Sequence, residues 1–77
     1  MIIPIKIRDV NDIEKVNNIV SKYPYDIWIH GKSGMADAKS ILGMFILKLD
    51  EPLNLVLPDR EDINNLIEKL REYLIFD

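Results

Sequence analysis

The chain opens on an alternation. In Ile2-Ile3-Pro4-Ile5-Lys6-Ile7, the side chains of Ile3, Ile5 and Ile7 share one face, while Ile2, Pro4 and Lys6 share the other. A period of two predicts a half-buried strand, and Pro4 places it near a sheet edge or a strand start. The period then changes. Ile13, Val16, Ile19, Val20 and Tyr23 recur at spacings of three and four, which predicts a helix of about three turns. Asn11 or Asp12 is expected to cap it, and Pro24 to close it. Alternation returns in Asp26-Ile27-Trp28-Ile29-His30-Gly31, with Ile27 and Ile29 inward and Trp28 and His30 outward. Gly31-Lys32-Ser33-Gly34 reads as a turn, and Met35-Ala36-Asp37-Ala38-Lys39 as a short returning strand.

Ser40 then stands before Ile41-Leu42-Gly43-Met44-Phe45-Ile46-Leu47, a helix kept brief by Gly43. Leu53, Leu55 and Leu57 mark a last strand. Asp59 is expected to begin a final helix with an apolar stripe of Ile63, Leu66, Ile67, Leu70, Tyr73 and Leu74. The predicted order is β-α-β-β-α-β-α. Each strand has one apolar side, so the three helices must cover a single face of a four-stranded antiparallel sheet, an α+β open-faced sandwich. The opposite face, carrying Lys6, Trp28, His30, Asn54 and Val56, is expected to be largely solvated.

Composition narrows the function classes. Seventy-seven residues suit one domain, spanning 1–77, near the lower end of what one apolar core stabilises. There is no cysteine, which removes thiolate chemistry and disulfides and suits a reducing cytoplasm. The net charge is −3 with scattered basic residues, giving little electrostatic support for direct nucleic-acid binding. No apolar run approaches a membrane span. The sequence shows no metal constellation, Gly-rich phosphate loop or nucleophile–base pair, so neither an enzyme nor a cofactor is expected.

The element order and the segment Lys39-Ser40-Ile41-Leu42-Gly43-Met44 together resemble HPr, the phosphocarrier protein of the bacterial sugar phosphotransferase system. The resemblance covers nearly the whole chain, and Ser21-Lys22-Tyr23 falls at the family's spacing from Ser40 without a gap. It implies an HPr-like fold. In that family a histidine in a G-x-H-A-R-P motif at the start of the first helix accepts and passes on a phosphoryl group. Here Asp9-Val10-Asn11-Asp12 lie over H-A-R-P and none matches. The only histidine is His30, on the second strand. Asp9, Asp12 and Glu14 would repel a phosphoryl donor, and Arg8 is the lone basic residue there. The family's arginine beside the histidine corresponds to Asn11. The chain therefore looks closest to the catabolite-repression paralogue that lacks the histidine.

Ser40 matches the serine that a dedicated kinase phosphorylates in that family, after which the modified protein binds a repressor. The resemblance implies phosphorylation at Ser40, and implies a protein partner docking on Ile41, Leu42 and Phe45 beside Lys39. That partner would be a phosphotransferase-system or transcriptional-regulator component. The plainer expectation for Ser40 is a helix cap, and for the apolar residues simple burial. Met44 and Leu47 are expected to point inward. Two other readings are a carrier with a diverged acceptor and a degenerate paralogue keeping only the fold. Trp28 and His30 are expected to be partly covered by neighbouring long side chains.

Overall fold

The computed structural model describes residues 1–76. Its elements are β1 (Ile2–Ile5), α1 (Val10–Val20), β2 (Trp28–Gly31), β3 (Gly34–Asp37), α2 (Ile41–Met44), β4 (Leu53–Val56) and α3 (Ile63–Leu70). A 3-10 turn over Arg71–Tyr73 follows α3. The four strands form one antiparallel sheet in the order β1-β4-β2-β3. The sheet registers Ile3 with Leu55 and Leu55 with Ile29, and Ile29 with Ala36. The apolar parity read from each strand therefore converges on one face.

That face and the helices share one core. Ile5, Ile7, Ile27, Ile29, Leu53, Leu55 and Leu57 pack with Ile13, Val16 and Val20 of α1, Met44 of α2, and Ile63, Leu66 and Leu70 of α3. Burial of such aliphatic side chains contributes roughly 1.5–3 kcal/mol each, so this layer dominates stability. Beyond α3, Tyr73 and Leu74 are also buried, and Ile67 packs at the margin. The stripe thus extends past the α-helix into a bridge between Leu74 and Ile5. On the other face Lys6 and His30 are exposed, whereas Trp28, Asn54 and Val56 are half-buried. Trp28 stands in register between Val56 and Asp37 and is partly covered as expected, whereas His30, between Asn54 and Met35, stays exposed and departs from that expectation.

Three boundaries differ from the sequence reading. α1 is capped by Asp9, not by Asn11 or Asp12. Asp9 is extended (φ −160°, ψ −179°), and its carboxylate accepts the Asp12 N–H at 2.9 Å. Asp12 sits inside the first turn, buried, and accepts both the backbone N–H and the Nε–H of Arg8, at 3.0 and 2.9 Å. The second correction concerns α3, which begins at Ile63, well after Asp59. Asp62 holds the capping position, but its carboxylate is taken by Arg60 Nε at 3.0 Å and makes no cap hydrogen bond. Asp59 instead lies 3.7 Å from the N-terminal ammonium. Third, α2 stops at Met44, and Phe45–Leu47 continue as turns with N–H groups bonded three or four residues back.

Candidate functional site

The segment from Asp37 to Leu47 is built around a reversal of the chain. Asp37 ends β3, and its side-chain oxygen accepts the Lys39 N–H at 2.9 Å. Its carbonyl accepts the Ser40 N–H, also at 2.9 Å. An aspartate bonding the backbone two residues on is a standard way to turn a chain. Asn17 of α1 donates to the Ala38 carbonyl at 3.0 Å and holds this turn against the helix layer.

Ser40 then caps α2. Its backbone is extended (φ −97°, ψ 106°), its carbonyl accepts the Met44 N–H, and its Oγ accepts the Gly43 N–H at 3.1 Å. Serine favours this place because its hydroxyl satisfies a donor that a helix start otherwise leaves bare. Ser40 is itself exposed. Met44 is fully buried and fixes which side of α2 faces the core.

The remaining side chains follow from that anchor. Leu42 is 77% exposed, Ile46 73% and Phe45 45%, so three large apolar groups close together in the chain stand at solvent. Leu47 packs at the core margin, as its inward expectation requires. Ile41 departs from expectation: it is half-buried and packs against the core, because the Met44 side of so short a helix includes position 41. Ile46 takes its place in the exposed group. The sequence carried that signal, since Ile46 follows Leu42 by four residues and adjoins Phe45. Lys39 is half-buried at the mouth of the turn.

The start of α1, where the resemblance would place a phosphoryl acceptor, is lined by acidic side chains. The Asp9 carboxylate takes the Asp12 N–H, and Arg8 is spent on the Asp12 carboxylate. The Arg8 side-chain hydrogen bond, with its backbone N–H next, holds the Asp12 carboxyl below the usual carboxylate range. His30 lies on the sheet face away from the helices, paired in register with Asn54 and Met35.

No protein-family model, curated protein or solved structure matches the chain. Among the described residues, no cluster of three or more His, Cys, Asp or Glu side chains could hold a metal ion. No described helix is long and apolar enough to cross a membrane.

Proposed function

We propose that this chain is an HPr-like regulatory or protein-interaction domain that carries no phosphoryl group on histidine, is not an enzyme, and acts in the cytoplasm. Its partner is a protein, a component of the phosphotransferase system or a transcriptional regulator, and its docking surface is the α2 edge. The observation that carries this reading is the exposed Ser40 hydroxyl at a helix start, bordered by exposed Leu42, Phe45 and Ile46. Contiguous apolar side chains at solvent beside a polar rim suit recognition by another protein. A phosphate on Ser40 would stand beside Lys39 and the first N–H groups of α2, and would place two negative charges against that patch. The four-stranded antiparallel sheet under three helices agrees with the architecture the resemblance implies.

The acidic start of α1 supports the absence of phosphoryl transfer. A neutral imidazole nitrogen is the nucleophile such transfer needs, and at this helix start the Asp12 N–H, which could stabilise a phosphoryl oxygen, is already bonded to the Asp9 carboxylate. Incubation with phosphoenolpyruvate and the first enzyme of the system, followed by intact-mass measurement, tests this. The expected result is an unchanged mass. An acid-labile gain of one phosphate would assign the chain to the carriers instead.

A further inference from the structure

An antiparallel sheet with one face at solvent ordinarily reads apolar inward and polar outward. Here much of the outward set is apolar too. The registers place Ile2, Val56, Trp28 and Asp37 in one row across the sheet, and Pro4, Asn54, His30 and Met35 in the next. The first row runs apolar over three strands, and its Ile2 is 66% exposed. Pro4 is exposed as well, and Met35 is 50% exposed. The segment after α3 adds to this face. Leu74 bridges Ile5 and is buried, so Ile75, whose N–H donates to the Pro4 carbonyl at 2.9 Å, turns outward and is 47% exposed. The helices pack on the other face, with the core.

The same face has a hollow. A cavity of about 400 Å³ opens beside the Pro4–Asn54 pair, lined by Pro4, Lys6, Leu49, Pro52, Leu53 and Ile75. Ile2 stands at one end of the face and Lys6, at the hollow, near the other, about 13 Å apart along the strand. The shape is therefore self-complementary. A copy turned end over end, about a two-fold axis crossing the strands near Pro4, lays its Ile2 at the hollow and receives Ile2 of the first copy at its own. Such reciprocity is what a two-fold interface requires, and aligned sheets about 10 Å apart are a stable packing. Size agrees. A sheet under one layer of helices is thinnest across its layers, so of the 31 × 27 × 20 Å extents the two longer ones belong to the sheet face. That face offers roughly 650–800 Å², against about 800 Å² that each partner of a stable dimer buries. Charges sit at the strand ends, as at an interface rim. The hollow end carries Lys6 and Lys32 against Asp50 and Glu51. The Ile2 end carries Asp26, Asp37 and Asp59 against Lys39 and the N-terminal ammonium, so end-over-end packing sets no strongly charged end over its like.

We infer that the open sheet face is covered by a second copy of this chain, packed sheet to sheet with Ile2 of each copy in the hollow between Lys6, Leu49 and Ile75 of the other. The inference stands apart from the regulatory reading. Ser40 and the exposed α2 side chains lie on the helix layer, so the dimer leaves them at solvent. Burial of the Ile2, Val56 and Trp28 row supplies the apolar area, and an interface of this size and polarity associates in the micromolar range or tighter.

Sedimentation velocity and tryptophan emission of the full chain, from about 1 µM to about 1 mM, test this. The expected result is a rise from 9.0 kDa to twice that mass. Emission should shift to the blue over the same concentrations, and Trp28, the single tryptophan, is its only source. Ile2→Lys and Ile75→Lys should each weaken association at least about tenfold, with circular dichroism confirming the fold, while Leu42→Lys on α2 leaves it unchanged. Ile75 lies outside the four strands, so its variant carries the test if Ile2→Lys fails to fold. A mass of 9.0 kDa at every concentration would overturn the inference. So would a dimer whose Trp28 emission does not move, or one weakened by Leu42→Lys and indifferent to Ile2→Lys and Ile75→Lys. Whether Ser40 accepts a phosphate is read separately, so failure here is distinct from failure of the regulatory reading.

Discussion

Gly43 donates its N–H to the Ser40 hydroxyl at 3.1 Å, and the missing side chain at 43 is what leaves the hydroxyl its room. A Cβ at that position would lie 3.2 Å from Ser40 Oγ and 3.3 Å from Ser40 Cβ. Cap and glycine are therefore one unit. Ser40→Ala should destabilise the fold by about 0.5–2 kcal/mol, while Ser40→Asp should be close to neutral, because aspartate also caps and suits the helix start. Urea titrations of the two variants check both statements.

The same contact sets the outcome at position 43. Alanine there gains up to about 1 kcal/mol of helix propensity over glycine but crowds the cap. Gly43→Ala should accordingly be more favourable in the Ser40→Ala background than in the native chain. A double-mutant cycle on urea midpoints reads that coupling directly.

Asp12 should govern part of the acid sensitivity. Arg8 holds its folded carboxyl below the value of about 3.9 expected in the unfolded chain. The unfolded state then binds the proton first, so stability rises with pH across this window. The contribution is complete above about pH 4 and is lost as pH falls through the lower folded value. Asp12→Asn should cost about 1–3 kcal/mol at neutral pH and flatten the fall of stability below pH 4, measured as urea midpoints between pH 2 and 7.

Gly34 closes the β2–β3 hairpin with φ +147°, while Lys32 and Ser33 keep negative φ. Side-chain-bearing residues rarely adopt that conformation. Gly34→Ala should therefore destabilise by about 1–3 kcal/mol although nothing lies within 4 Å of the added Cβ. Thermal melts of Gly34→Ala beside wild type give the comparison.

Tyr25 buries its hydroxyl without a protein partner, and burial, more than the nearby Asp62, pushes the phenol up. Its ring lies 4.7 Å beneath the Arg60 guanidinium, a contact phenylalanine keeps. Tyr25→Phe should be neutral or stabilising by up to about 1 kcal/mol, since an unpaired buried donor is costly. A loss of stability would mean the hydroxyl is paired in solution.

The strands were legible because each buries one face, and Ile3, Ile5, Ile27, Ile29, Leu53 and Leu55 could satisfy only one parity. Ser40 was legible as a cap because a polar turn runs directly into an apolar segment. Helix starts among several acidic residues were not. Asp9, Asn11 and Asp12 are equally able to cap, and the choice was made by Ile13 and Val16, which must face the core. At α3, Arg60 diverts Asp62 from capping, a contest between side chains that spacing does not reveal. The docking group implied by the resemblance has Ile41 where the structure exposes Ile46, because buried Met44 turns position 41 toward the core. The apolar row on the open sheet face depends on strand order, which no local pattern carries.

The central claim is that Ser40 is a regulatory serine on a docking surface, and its most direct test is phosphosite mapping by mass spectrometry. The purified chain is incubated with ATP and the serine kinase that acts on HPr proteins. One phosphate on Ser40, with Ser21 and Ser33 unmodified, is the result this account predicts. A chain left unlabelled at Ser40 under conditions that label HPr itself would contradict it, leaving Ser40 as a helix cap alone.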